Sequence, residues 1–578
     1  MLFEDLGLLF FTVLALTLLF TPLSMRAAFY IGAIDQPVTR SVHLKPMPRL
    51  GGLGMVFSLL IGMGMFLGFT PVAIGFMTGL AVILITGLAD DIWNVRARWK
   101  LLGQLLAAVV FIELSGITVT SLGNLLNLGE VAFSPPVAYA VTLFMFVGTI
   151  NAFNHSDGLD GLAAGVVAIV CLFFAVFALE AQVFIALFLS VGLLAAVLGF
   201  LKFNSFPAKM FMGDTGSLML GFSVTAIGII LGTDNVEINK PVTIGLVLAM
   251  PVIDTLWVMA RRVAQGKSPA FADNTHLHHR LLALGLPHSL VVSILYIWTA
   301  LFGFLALFVR EMPEYWQLLS GLVLCGVLYS LLTLCERKNI CLTHSTYKDS
   351  GIYELSGIHT FELDAASDIP EASDISGEEQ ELKRMLASLL GRSMKLFPYV
   401  ILAGLTIPLF FVDSISTNIG GLALVLALLI AVAFPWQDHH QRPSIVCGLF
   451  YLCAFILLWG LSSSSYRLLN FDIYMISFSC LLLIWSALKI KFKSHREVFL
   501  TSSFELLLIS ISWFVPYVVL PVLGVSETVM DAAKLSCLAA IPLFIALKLA
   551  IKGQLHRNRK MAIGLISLLV FMAMRSWV

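Results

Sequence analysis

Residues 151–165 read Asn151-Ala-Phe-Asn154-His155-Ser-Asp157-Gly-Leu-Asp160-Gly-Leu-Ala-Ala-Gly165, between two apolar runs that are each long enough to cross a bilayer. Ionisable groups at a membrane boundary are expensive to place, so such a stretch is a functional-site hypothesis by default. Its glycines allow a sharp turn or a close approach of backbone to ligand. The plainer alternative is a polar interhelical turn, for which Asn-His-Ser-Asp-Gly is good chemistry. Three further acidic or basic clusters fall on the same expected side of the membrane and favour the functional reading.

Working outward, the 578-residue chain is 59% hydrophobic and only 12% charged. Its mean hydropathy is +0.95. Soluble domains carry about 25% charged residues, so this balance excludes a soluble protein. The formal net charge of zero says nothing about nucleic acid, and no basic tail is present that would suggest it as a partner. The eight cysteines lie mostly within apolar runs without metal-ligand spacing and read as small buried hydrophobes. The first apolar run follows Glu4 and Asp5, not a basic segment, and lacks a small-residue cleavage site. It is expected to be a retained helix and not a signal peptide.

At about 20 apolar residues per span, the fold class is all-α, a polytopic membrane protein with about eighteen transmembrane helices. About eleven of them form an N-terminal catalytic bundle over residues 1–337, near 6–25, 50–69, 71–89, 100–119, 136–153, 161–179, 182–203, 212–232, 241–260, 288–309 and 316–335. Residues 338–395 form a polar, acidic cytoplasmic linker, and 396–578 an additional multi-helix membrane region of unknown role. With the N-terminus outside, the inside loops collect Arg40, Lys45, Arg49, Arg96, Arg98, Lys100, Lys202, Lys209, Arg261, Arg262, Lys267 and Arg280. The outside loops keep only strays such as Lys240 and Arg310, which fixes the orientation.

Four more inside loops carry chemistry. Residues 35–54 offer Lys45 and Arg49 among prolines, followed by Gly51-Gly52, a loop able to cradle phosphate. Asp90-Asp91 ends a span; adjacent carboxylates repel, so one can serve as a base or both can be held by a cation, unless they merely cap a helix end. In Phe211-Met-Gly-Asp214-Thr-Gly-Ser217 a lone carboxylate stands between glycines at a helix start, where N-capping is the alternative. His276, His278, His279 and Arg280 form the last cluster. Clustered imidazoles suggest zinc, but no cysteine is near, and the carboxylate-rich loops favour an oxygen-ligated ion, Mg²⁺ with Mn²⁺ as the substitute.

Pro46/Pro48 with Gly51-Gly52, Asp90-Asp91, Asn151-x-x-Asn154-x-x-Asp157-Gly-x-Asp160-Gly-Leu, Phe211-Met-Gly-Asp214-x-Gly-Ser217 and His276-x-His278-His279 occur together in this order. The set resembles the polyprenyl-phosphate N-acetylhexosamine-1-phosphate transferases (glycosyltransferase 4), over roughly residues 1–340. The His-x-His-His form looks like the GlcNAc-1-phosphate (WecA-like) branch and not the MurNAc-pentapeptide (MraY-like) branch. The resemblance implies transfer of GlcNAc-1-phosphate from a UDP-sugar to undecaprenyl phosphate at the cytoplasmic face of a bacterial inner membrane, with loss of UMP. The product would initiate O-antigen or a related surface polysaccharide. Residue by residue, it implies Asn154 and Asp214 as metal ligands, and Asp90, Asp91, Lys100, His278 and His279 as catalytic. It implies Lys45, Asp157, Asp160, His276 and Arg280 as substrate-binding, and leaves a homodimer open. The rival from another class is a secondary transporter with an intramembrane acidic ion site, whose ligands should lie near the midplane. A cysteine replacing His155 (His155→Cys) is expected to react with a membrane-impermeant maleimide only from the cytoplasmic side; labelling from outside would invert the topology.

Overall fold

A computed structural model describes residues 2–36, 46–130, 132–234, 240–267, 275–286 and 288–337. Lys45, the polar stretch 338–395 and the spans expected after 396 lie outside the described residues. The helices in chain order are α1 (Leu2–Ile31), α2 (Gly51–Phe66), α3 (Pro71–Trp93), α4 (Ala97–Ser115), α5 (Pro135–Ser156), α6 (Leu162–Glu180) and α7 (Phe184–Asn204). They continue with α8 (Gly213–Asp234), α9 (Pro241–Val247), α10 (Ala249–Ala264), α11 (Leu277–Ala283), α12 (His288–Val309) and α13 (Glu314–Arg337). A two-residue antiparallel ribbon, β1 (Ile34–Asp35) with β2 (Met47–Pro48), joins α1 to α2.

Every one of the eleven expected stretches is helical. Eight described helices are long and apolar enough to cross a membrane, so the chain is a multi-pass membrane protein. Three stretches depart from a simple span. Helix α2 has only 16 residues, and α4 carries Arg98, Lys100 and Glu113. The expected span 241–260 is two helices, α9 and α10, bent by 82°. Pro251 has no N–H to give to Val247, so the ladder fails at that point and the chain breaks at Leu248. The stretch around His276–Arg280, expected as a loop, contains the short helix α11.

Local signals set the ends of these helices. Thr70 accepts the Ala73 N–H at 3.2 Å just before Pro71, which suits the first helical position. Asn94 ends α3 in the left-handed conformation (φ 49°), one that asparagine tolerates. Gly116 does the same for α4.

Helices α6 and α8 are the innermost, each 94% buried along its most apolar window. Phe111, Phe146 and Phe222, from α4, α5 and α8, pack with ring centroids 5.3 Å apart, edge to face between Phe111 and Phe146 and stacked between Phe146 and Phe222. Phe76 of α3 joins Phe222 at 5.9 Å. These rings tie together the four helices whose same-side ends carry Asp90, Lys100, Asn154 and Asp214. Apolar burial drives little association inside a bilayer, so helices there depend on close contact through small residues. A Cβ on Gly87 would lie 2.3 Å from Thr215 Cα, and one on Gly52 would lie 2.2 Å from Gly216 N. Helices α2, α3 and α8 therefore meet backbone to backbone. Gly87→Ala is expected to force α3 off α8, costing about 1–3 kcal/mol, read as a lowered thermal unfolding midpoint of the detergent-solubilised protein.

Candidate active site

The chain runs back and forth, so the C-terminal ends of α3 and α5 and the N-terminal ends of α4, α6 and α8 share one end of the bundle. Asp91 makes the closest junction there. Its carboxylate is 3% exposed. One oxygen accepts the Asp214 N–H at 2.8 Å; the other accepts the Thr215 N–H at 3.0 Å and the Thr215 hydroxyl at 2.6 Å. The unpaired N–H groups that open α8 are thus capped by a carboxylate from α3. Gly213 makes this approach feasible. It has φ +69°, and a Cβ there would meet the Arg49 carbonyl at 2.1 Å and both Asp91 oxygens at 2.6 Å.

Asp91, expected as a catalytic partner of Asp90, thus caps α8, with each of its oxygens accepting from the first residues of that helix. Capping is indeed the alternative that the Asp90-Asp91 pair left open, although the helix capped is α8 and not α3.

Asp90 faces the other way. Lys100, at the start of α4, places its Nζ 3.2 Å from Asp90 Oδ2 and in contact with Asp214 Oδ2. Two carboxylates and one ammonium from three helices form one cluster. Asn154 joins it through Ser217: its Nδ2 donates to Ser217 Oγ at 2.7 Å. Asn151 instead holds the helices, pairing with the buried Gln104 at 2.8 Å.

The loop after α5 is fixed from two sides. The Gly161 N–H donates to Asn204 at 2.9 Å, and the Tyr296 hydroxyl donates to the Gly161 carbonyl at 2.6 Å. Asp160 accepts the Ala208 N–H at 2.9 Å and so ties this loop to the one before α8. The Asp157 side chain has no hydrogen-bond partner among the described residues. Burial, then the charges of Asp214, Asp160 and Asp91, push its carboxyl up to about 8.

Four imidazoles form a row beside that loop. His155 and His276 have centroids 5.5 Å apart, His276 and His278 6.0 Å, and His278 and His279 4.1 Å. His278 packs so tightly under the loop that a Cβ on Gly158 would sit 2.4 Å from its Nε2. Burial first, then the neighbouring histidines 279, 276 and 288, lower its pKa to about 3.

Arg280, expected over the substrate, pairs with Glu336 of α13 through two bonds of 2.8 Å and reaches Thr333 at 3.2 Å. That pairing, in first place, raises its pKa. Asp90, Lys100, Asn154, Asp157, Asp160, Asp214, His276 and His278 are thus brought to one end of the bundle, with His279 beside them.

One group escapes the sequence reading. Asp254 of α10 accepts from the His276 ring and the Leu277 N–H. Its place inside an apolar span is a signal that an intramembrane carboxylate has a task. Arg49 reaches the Asp91 carbonyl at 3.3 Å and Asn94 Oδ1 at 3.4 Å, holding the first loop to the end of α3.

A divalent ion suits the donors at the centre. With Nδ2 of Asn154 engaged by Ser217, its Oδ1 is left as a ligand beside the carboxylates of Asp214 and Asp90, all hard oxygens. Among the described residues no three or more His, Cys, Asp or Glu are grouped to hold a metal by themselves, so the imidazole row is not a preformed zinc site.

The family model for glycosyl transferase family 4 matches residues 73–232, a stretch that includes Asp90, Asn154 and Asp214. The chain is 35% identical over 309 residues to a probable undecaprenyl-phosphate N-acetylglucosaminyl 1-phosphate transferase of Bacillus subtilis, covering 52% of this chain and 84% of that protein. It is 33% identical over 305 residues to a decaprenyl-phosphate N-acetylglucosaminephosphotransferase of Mycolicibacterium smegmatis, covering 48% and 75%. It is 28% identical over 331 residues to the undecaprenyl-phosphate alpha-N-acetylglucosaminyl 1-phosphate transferase of Escherichia coli K12, covering 55% and 88%.

His278 gives the fold a pH dependence. Above about 6.5, the ordinary histidine value, the ring is neutral whether the chain is folded or not. As the pH falls from there toward 3, the unfolded chain takes a proton that the folded one refuses, so stability is lost by up to about 5 kcal/mol. Between pH 7 and pH 5 the thermal unfolding midpoint of the wild type is expected to fall relative to that of His278→Gln, which lacks this contribution.

Proposed function

The chain belongs to glycosyl transferase family 4, and from that membership we propose that it transfers GlcNAc-1-phosphate from UDP-GlcNAc to undecaprenyl phosphate, releasing UMP. The observation that carries the reading is the cluster of Asp90, Lys100 and Asp214, linked through Ser217 to Asn154, at one end of a bundle that spans the membrane. The names of the three relatives support the sugar 1-phosphate and the polyprenyl carrier.

In the proposed reaction an oxygen of the lipid phosphate attacks the β-phosphorus of the UDP-sugar. One P–O bond forms there, and the bridging P–O bond to the α-phosphate breaks, so that UMP carries off the bond's electron pair. Two anions must meet, and catalysis rests on positioning and on neutralising charge. Lys100 supplies a fixed cation to the phosphates. Asp90 takes the proton of a lipid phosphate that arrives as its monoanion. Asp157 and Asp160 line the nucleotide side, and His276, His278 and His279 stand by the sugar diphosphate. Asn154 and Asp214 would hold Mg²⁺, or Mn²⁺ in its place, and the ion would supply Lewis-acid stabilisation of the transferred phosphoryl.

The lipid acceptor accounts for a polar site at a membrane boundary. We place the site at the cytoplasmic face of a bacterial inner membrane, where nucleotide sugars are available, with the product starting O-antigen or another surface polysaccharide. A transporter would hold its ion ligands near the midplane; these clusters sit at helix ends, which favours the transferase.

The test is UMP release by the purified full chain given undecaprenyl phosphate, UDP-GlcNAc and Mg²⁺. Asp214→Ala and Asn154→Ala are each expected to lower the rate about 10²–10³-fold, and chelation of divalent ions to abolish it until Mg²⁺ is restored. Wild-type rates in both variants would overturn the metal assignment.

A further inference from the structure

Asp254 lies 5% exposed on α10, 40 residues along the chain from Asp214. Three donors converge on it. His276 Nδ1 is 2.9 Å from Oδ2, and both side chains of this pair are buried. The Leu277 N–H reaches Oδ1 at 3.0 Å and the Tyr329 hydroxyl reaches the same oxygen at 3.3 Å. The Leu277 N–H and the Tyr329 hydroxyl both donate to this carboxylate, and a carboxylate accepts where a ring N–H donates. The proton of the shared bond therefore sits on Nδ1 of His276.

The surroundings prevent the ring from turning. His276 is the residue before α11, with its ring between those of His155 and His278. Tyr329 is itself held, its ring tilted against Trp257 with centroids 5.2 Å apart and covered by the Arg280 guanidinium at 5.8 Å. Arg280 in turn is pinned to Glu336 and Thr333. Helices α10 and α13 thus grip both ends of the His-x-His-His segment. With Nδ1 engaged, Nε2 is the nitrogen left to meet a ligand.

We propose that Asp254, steadied by Tyr329, is a positioning residue for transfer: it fixes the orientation and tautomer of His276 so that Nε2 is offered to the sugar diphosphate of the donor. This rests on the transferase reading above. Asp254 touches no substrate and acts only through His276. An amide in its place would keep the Leu277 bond through its oxygen but present N–H to the ring, reversing the tautomer. Where a carboxylate orients a catalytic histidine, that exchange leaves the geometry intact and costs up to about 10⁴ in rate.

The experiment uses the purified full chain in lipid nanodiscs with Mg²⁺, undecaprenyl phosphate and UDP-GlcNAc, comparing wild type, Asp254→Asn, Asp254→Glu, His276→Ala and the double variant Asp254→Asn/His276→Ala. Asp254→Asn is expected to lower kcat by about 10²-fold or more while KM for the lipid phosphate stays unchanged, and Asp254→Glu to restore part of the rate. The double variant should be no slower than His276→Ala alone, because the two act as a unit. In parallel, ¹⁵N-histidine spectra, with the His276 signal identified by its loss in His276→Ala, should show Nδ1 protonated in wild type and Nε2 protonated in Asp254→Asn. If Asp254→Asn does not fold, Tyr329→Phe keeps the ring, removes one donor, and is expected to lower kcat severalfold with the same unchanged KM.

A kcat for Asp254→Asn within twofold of wild type, multiplicative losses in the double variant, or an unchanged tautomer would overturn the proposal. Loss of lipid KM alone would make Asp254 structural and overturn it too. If wild type releases no UMP, the transferase reading fails, while the ¹⁵N spectra still decide whether Asp254 sets the tautomer.

Discussion

Helix α8 begins with N–H groups that no residue of its own turn can satisfy, and the carboxylate that satisfies them comes from α3. Much of the polar end follows from this bond. A partly positive helix terminus and a full negative charge are brought together where little water reaches, and the pair fixes α3 against α8 in height and rotation. Consecutive residues on a helix point about 100° apart. With Asp91 committed to α8, its neighbour Asp90 is directed to the side, where Lys100 and Asp214 stand. One carboxylate holds the frame so that the next can be used.

The frame itself is built on proximity and not on hydrophobic gain. Between helices already surrounded by lipid, what distinguishes a good contact is how near two backbones come and how few polar groups are left without partners. Gly87 against Thr215 and Gly52 against Gly216 supply the first condition. Asn151 with Gln104, and Asn204 with Gly161 and the Met210 carbonyl, supply the second. The polar loops are therefore rigid shelves, cross-braced by side chains from helices far away in sequence.

The helical stretches before residue 337 are legible in the sequence because each needs only a run of apolar residues, a local property. The break at Leu248 was within reach of the same reading, since Pro251 stands in plain view, but hydropathy averages over it. The loops that carry the site are legible from residue type: acids, amides and imidazoles between membrane-length runs. What each one does is not. Asp90 and Asp91 are identical in type and adjacent, and only the position of α8 separates a cap from a cluster member. Arg280 looks like an anion-binding cation until Glu336, 56 residues later, is found against it. Asp254 hides in a span and gains its meaning from His276, 22 residues on. Pairings across helices are set by packing, which a linear pattern does not record.

Because the ammonium of Lys100 already rests between Asp90 and Asp214, this end of the bundle carries its own counterion. Carboxylates that would otherwise push their helices apart are offset from within the protein. An arriving anion must then compete for an ammonium that is already engaged.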